Sequence, residues 1–175
     1  PVDELSAASL LAEAVRAEGT ENLTVVTDLG FARRARVLAE SLGAPLAIVE
    51  KRREGSGAAN TARVLRVIGE VRGRRALIID DEVDTAGTLV EISRAVRDAG
   101  ALEIRAAATH GVLSPGSLER IAASPIASLL LTDTLARREG EEEARIRRIS
   151  VAPLLAAAID RIHDGRSVGE LFTHR

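Results

Sequence analysis

The sequence predicts an α/β fold, a doubly wound and mostly parallel sheet with helices on both faces. Two observations carry that prediction. Short aliphatic and β-branched runs alternate along the chain with segments whose apolar residues recur at helical spacing, as βαβ units require. One of those runs, residues 76–79, leads straight into acids, hydroxyls and a glycine, and then into another helical pattern. That is the order in which a strand of such a fold hands over to a ligand-binding loop and a helix.

The elements follow in order. Residues 5–15 read as a helix with Leu10, Leu11, Ala14 and Val15 on its apolar face, closed by Gly19. Residues 23–26 are a strand, 27–30 its exit loop and 31–42 a helix ended by Gly43. Residues 46–49 form the next strand. The polar, glycine-containing stretch 50–61, EKRREGSGAANT, reads as a mobile loop, and 64–71 as a strand or hairpin arm. After the strand 76–79 and its loop, a helix runs to Ala99 with Gly100 beyond it. Residues 104–109 are a strand, Ser114-Pro115-Gly116 opens a short helix through Ile121, and 129–131 are a strand. The charged stretch 137–148, with Glu141 to Glu143 at its centre, reads as a solvated loop. A last helix, 153–162, keeps Leu154, Leu155, Ala158, Ile159 and Ile162 on one face, tolerates Pro153 in its first turn and stops at Gly165. No repeat is visible, and the 175 residues are expected to form a single domain.

Composition narrows the function classes. The chain is 46% hydrophobic and 29% charged, so a globular, soluble protein is expected. A net charge of −2 gives no electrostatic case for nucleic acid or an anionic membrane. Cysteine is absent, which removes disulfides, thiolate metal sites and a cysteine nucleophile. No apolar run reaches the roughly 18 residues of a membrane span, and no signal peptide is visible, so a cytoplasmic location is expected. Position 1 is Pro rather than Met, as in a fragment or a processed chain.

The chemistry concentrates in DDEVDTAGT. Asp80 and Asp81 follow the strand 76–79; Asp84, Thr85, Ala86, Gly87 and Thr88 lead into the helix. Backbone N–H groups at a helix N-terminus point at an anion, and the helix dipole favours its charge. Gly87 allows close backbone approach, and the two threonines add hydroxyl donors. The aspartates repel a phosphate but suit sugar hydroxyls or a hydrated Mg²⁺ beside it. A plain turn with Asp84 or Thr85 as N-cap would account for one acid and one hydroxyl, not for three aspartates and two threonines. With three scattered histidines there is no classical zinc spacing. His110 reads as a satisfied strand-end residue, and His163 and His174 as surface groups.

DDEVDTAGT resembles the phosphoribosyl-diphosphate loop of the type I phosphoribosyltransferase fold, in the wording of the ribose-phosphate diphosphokinases. The similarity runs end to end along the C-terminal half of that family. PVDELSA resembles the start of the half. TDLGFARRAR is similar to the pyrophosphate-side loop, matched at Asp28, Gly30, Arg34 and Ala35. EKRR resembles the start of the flexible catalytic loop, and THGVLSPGSLERI and SVAPLLAAAIDRIHDGRSVGELF follow the closing elements. One departure is clear: the family usually has Pro before the Asp and Gly-Gly after it, where this chain has Thr27 and Gly30-Phe31. Asn60 matches a loop position to which no role attaches.

The resemblance implies a reaction and a set of roles. Ribose 5-phosphate attacks the β-phosphorus of ATP through its anomeric hydroxyl, giving phosphoribosyl diphosphate and AMP with Mg²⁺ required. Residues 84–88 are expected to hold the 5-phosphate, Asp80 and Asp81 the ribose hydroxyls, and Asp28 a metal ion. Lys51, the only lysine in the chain, and Arg53 are expected to stabilise the transferring group. The family's ATP-gripping loops and a metal-binding histidine lie in its N-terminal half, which nothing here resembles. The chain is therefore expected to act with that half, or as part of a homo-oligomer. The alternatives are a non-catalytic module associated with an active synthetase, and a phosphoribosyltransferase, which would need a hood segment that the sequence lacks.

Overall fold

A computed structural model describes residues 4–54 and 61–172. The elements run α1 (Ala8–Ala17), β1 (Leu23–Asp28), α2 (Ala32–Leu42), β2 (Leu46–Glu54), β3 (Thr61–Ile68), β4 (Arg75–Val83) and α3 (Gly87–Asp98). Then follow β5 (Glu103–Gly111), α4 (Ser117–Ala122), β6 (Ser128–Thr132), β7 (Ile146–Ile149), α5 (Ala152–His163) and a 3₁₀ turn (Val168–Phe172). The seven strands form one sheet in the order β3-β2-β1-β4-β5-β6-β7. Every pairing is parallel except β2 with β3.

Alternation along the strands divides the core between the two faces. On β4, Leu77 and Ile79 join Leu11, Val15, Leu38 and Ala39 of α1 and α2. Ala76 and Ile78 join Leu89, Ile92 and Val96 of α3 on the other face. The strands are thus apolar on both sides, which is why they read as unbroken runs. Consecutive strands β1 and β2 lie on one side of β4 and strand β5 on the other, so the chain reverses its progress across the sheet between β1 and β4. A crevice opens at the carboxyl ends of the strands at such a point. Thr27 is fully buried there, and its hydroxyl donates to the Ile79 carbonyl across the two strands (3.1 Å).

The structure departs from the sequence reading in four places. β4 runs through Val83, because its end stays in register with His110 and Gly111 of β5. Asp80 and Asp81 therefore lie on a strand, not beyond it. Secondly, β2 continues to Glu54 and pairs antiparallel with β3, where a mobile loop is expected over 50–61. Cross-strand pairing overrides the polar composition; residues 55–60 of the expected loop, Asn60 among them, lie outside the described residues, as does His174.

Thirdly, the stretch 137–148 is not a solvated loop. Glu141 is 1% exposed and the chain after it forms β7, the sheet edge. The Arg148 guanidinium makes the burial possible, donating through Nε and Nη2 to both carboxylate oxygens of Glu141 (2.8 Å each) and through Nη1 to the Thr132 and Leu135 carbonyls. The Arg138 N–H adds a further bond to Glu141. Burial works to raise the Glu141 carboxyl; Arg148, the Arg138 N–H and Arg137 outweigh it and hold the group below the ordinary carboxylate range.

Lastly, the apolar face of α5 stays largely uncovered among the described residues. Ala158 is buried, but Ile159 and Ile162 are 65% and 66% exposed. The helix begins where the Val151 N–H meets the Asp133 carboxylate after β6 (2.8 Å).

Candidate functional site

Asp28 is the last residue of β1, and Asp80 and Asp81 sit late on its neighbour β4, so three aspartates gather at the crevice. Asp80 is half-buried, and its carboxyl is pushed up to about 7. Burial is the main cause; the Asp81 N–H, donating to Asp80 Oδ1 (3.0 Å), works against it. The neighbouring Asp81 carboxyl and the charges of Asp28 and Asp81 push the same way as burial. Asp81 is exposed and faces Arg34 at 4.0 Å.

Asp28 folds back over its own exit turn. Its Oδ1 accepts the Phe31 N–H (3.0 Å), and a Cβ on Gly30 would stand 3.3 Å from that oxygen. Phe31 carries the Arg34 guanidinium 5.9 Å from its ring centroid. Phe31, Arg34, Asp80, Asp81 and His110 line a cleft of about 520 Å³. The imidazole Nδ1 of His110 is engaged with the Thr134 hydroxyl (2.9 Å), the satisfied strand-end role expected of it.

The loop 84–88 does not line that cleft; it forms the entry to α3. Neither Asp84 nor Thr85 caps the helix in the ordinary way. The N-cap is Ala86 and has no side-chain cap bond; the Gly87 N–H reaches the Thr85 hydroxyl only at 3.5 Å. Ala86 is 4% exposed and left-handed at φ 60°, a conformation unusual for a residue with a Cβ. A turn of this hand opening a helix aims successive N–H groups into one concavity, the arrangement that binds phosphate. Gly87 is not demanded by its protein neighbours: an added Cβ would meet only the Thr85 hydroxyl, at 3.6 Å.

Sequence reasoning missed what braces this loop. The Ser114 hydroxyl bonds to the Asp84 carboxylate, the Ser114 N–H donates to the Asp84 carbonyl (3.2 Å), and Arg120 Nη1 donates to the Thr85 carbonyl (2.7 Å). These residues lie some thirty positions downstream, and no local pattern connects them to the loop.

Lys51 and Arg53 lie on β2 past the register of Asp28 with Val49, where β2 has left β1 and continues paired with β3 alone. Their side chains fall outside what the structure describes, so it gathers the aspartates, with the loop 84–88 at the entry to α3, without placing the basic pair. For a cation, the donors are hard carboxylate oxygens. Mg²⁺ is usually held by one or two carboxylates together with substrate phosphates; burial chiefly raises Asp80, and the like-charge repulsion added to it is what a cation would relieve. Among the described residues no three acidic or histidine groups form a metal cage. The donor set thus fits an Mg²⁺ completed by a phosphate-bearing substrate.

The family model for the phosphoribosyl synthetase-associated domain matches residues 50–173. A ribose-phosphate pyrophosphokinase of Caldanaerobacter subterraneus is 47% identical over 175 residues, 99% of this chain and 54% of that protein. The Bacillus caldolyticus ribose-phosphate pyrophosphokinase is 40% identical over 98% of this chain and 54% of its own length. The crystal structure of phosphoribosylpyrophosphate synthetase from Mycobacterium smegmatis superposes with a TM-score of 0.81 at 34% identity, covering 94% of this chain and 53% of that one. The chain spans about half the length of the curated relatives it matches. A purine phosphoribosyltransferase from Pyrococcus horikoshii, at 24% identity and a TM-score of 0.51, shares the fold. No described helix is long and apolar enough to cross a membrane.

Proposed function

Since the chain belongs to the phosphoribosyl synthetase-associated domain family, we propose that it supplies the ribose-5-phosphate side of a ribose-phosphate diphosphokinase. The observation that carries this reading is the uncapped, left-handed entry to α3 beside three clustered aspartates. A phosphate and a polyhydroxylated ring are the two halves of a sugar phosphate, and each finds its complement here.

In this reading the backbone N–H groups of residues 84–88 and the Thr85 and Thr88 hydroxyls hold the 5-phosphate. Asp80 and Asp81 accept hydrogen bonds from the ribose hydroxyls, which favours the ionised form of Asp80 and orients the anomeric oxygen. That oxygen attacks the β-phosphorus of ATP and loses its proton; the bond from the β-phosphorus to the α–β bridging oxygen breaks, and AMP leaves. Lys51 and Arg53 neutralise charge that builds on the transferring diphosphoryl group, the main work a protein does in such a transfer. Mg²⁺, held by Asp28 and substrate phosphates, would supply further charge neutralisation.

The chain spans about half the length of its relatives, so the adenine side comes from a complementary half; the chain works as one domain with that half or in a homo-oligomer, and its location is cytoplasmic. The test is Lys51→Ala in an enzyme reconstituted with the complementary half of a relative. Turnover should fall to background while calorimetric binding of ribose 5-phosphate stays nearly intact. Retained turnover would overturn the role of Lys51. Binding of ribose 5-phosphate without any turnover in the unsubstituted reconstituted protein would favour a non-catalytic binding module.

A further inference from the structure

We propose that Arg120, with Ser114, is a positioning residue for the phosphate loop: it sets the direction of the loop's amides through the Thr85 carbonyl and never touches the ligand. The inference rests on the ribose-5-phosphate reading of that loop. Three consecutive carbonyls are tied down from one side. The Val83 carbonyl accepts the Leu113 N–H (3.0 Å), the Asp84 carbonyl the Ser114 N–H (3.2 Å), and the Thr85 carbonyl Arg120 Nη1 (2.7 Å). A trans peptide is planar, with its C=O and N–H antiparallel. Fixing those three carbonyls toward the 113–120 segment therefore turns the N–H groups of Asp84, Thr85 and Ala86 to the opposite side. The third of these is the amide of the left-handed residue that opens α3.

Arg120 holds the peptide that matters most. Left to itself, the Thr85–Ala86 peptide could rotate, because the residue after it sits at φ 60° without the freedom of glycine. A guanidinium on the carbonyl opposes that rotation with a charge-assisted hydrogen bond. The same bond polarises the peptide and strengthens the Ala86 N–H as a donor. Gly116, left-handed at φ 83°, opens the helix that carries Arg120, and a Cβ there would make only ordinary contact with Nη2, at 3.6 Å. Arg120 has no ion pair with any described residue. Its charge therefore also contributes a favourable potential behind a bound phosphate.

The experiment titrates the 175-residue chain and its Arg120→Met, Arg120→Lys and Ser114→Ala variants with ribose 5-phosphate by calorimetry. Inorganic phosphate is added in parallel while the Ala86 amide is followed by NMR. Removing a hydrogen bond from a charged donor should weaken ribose 5-phosphate about tenfold or more in Arg120→Met. Arg120→Lys should recover most of the affinity, and the Ala86 amide resonance should move in Arg120→Met before any ligand is added. A merely structural arginine would lower the melting temperature without these changes. If Arg120→Met does not fold, Ser114→Ala decides by the same amide shift and loss of affinity. Equal affinity and an unmoved Ala86 amide in the folded variants would overturn the inference and leave the ribose-5-phosphate reading standing. No binding of either ligand by the unsubstituted chain would overturn that reading, and the inference with it.

Discussion

Replacing Asp80 by asparagine should stabilise the protein at alkaline pH and do nothing for it in acid. The Asp80 carboxyl is raised from 3.8 to about 7, chiefly by burial and further by the Asp81 carboxyl and the charges of Asp28 and Asp81. The folded state thus keeps a proton that the unfolded chain releases near pH 4. Between those values the folded state binds more protons, so stability falls as pH rises, and the full penalty is in force above about pH 7. Three units correspond to about 4 kcal/mol at roughly 1.4 kcal/mol per unit. Asp80 is only half-buried, and solvent screening reduces this to about 2 kcal/mol. Asparagine retains the oxygen that accepts the Asp81 N–H and carries no charge. Urea unfolding at pH 4, 6 and 8 should give Asp80→Asn no advantage at the first pH and about 2 kcal/mol at the last. In melting temperature that gain is roughly 4–8 °C for a chain of this size. An advantage that is constant across pH, or that grows toward acid, would refute the argument that burial and like charge raise this group.

Two further outcomes are expected. Glu141→Ala strips Arg148 of both charge-assisted bonds in a buried setting, and urea unfolding should register a loss of roughly 3–5 kcal/mol; a loss below about 1 kcal/mol would mean that the 137–145 excursion does not depend on this pair. Ala86→Val should cost about 2 kcal/mol, since a β-branched residue is strained at φ 60° and the site is buried, while Ala86→Gly should stay within about 1 kcal/mol of the parent; similar losses in both, measured by thermal melting, would show that backbone strain is not the governing factor.

The sequence by itself determined whatever depends on neighbours along the chain. The runs at 23–26, 46–49, 76–79 and 104–109, broken only by Thr24, Arg105 and Thr109, are largely apolar on both faces because helices cover both, and that pattern is readable without coordinates. The order strand, acids, hydroxyls, helix located the crevice residues Asp28, Asp80 and Asp81 and the loop 84–88, since a topological switch point and a helix N-terminus are local consequences of βαβ order. Tertiary structure decided what depends on partners far away in sequence. Glu141 is buried because Arg148 neutralises it, where a run of three glutamates reads as solvated. β4 extends to Val83 and β2 to Glu54 because β5 and β3 pair with them, and pairing leaves no mark on composition. The loop 84–88 is braced by Ser114 and Arg120, residues whose own surroundings in the sequence say only that a short helix begins. A carbonyl held in space by a distant guanidinium is a long-range contact, and a linear pattern of residue types carries no record of it.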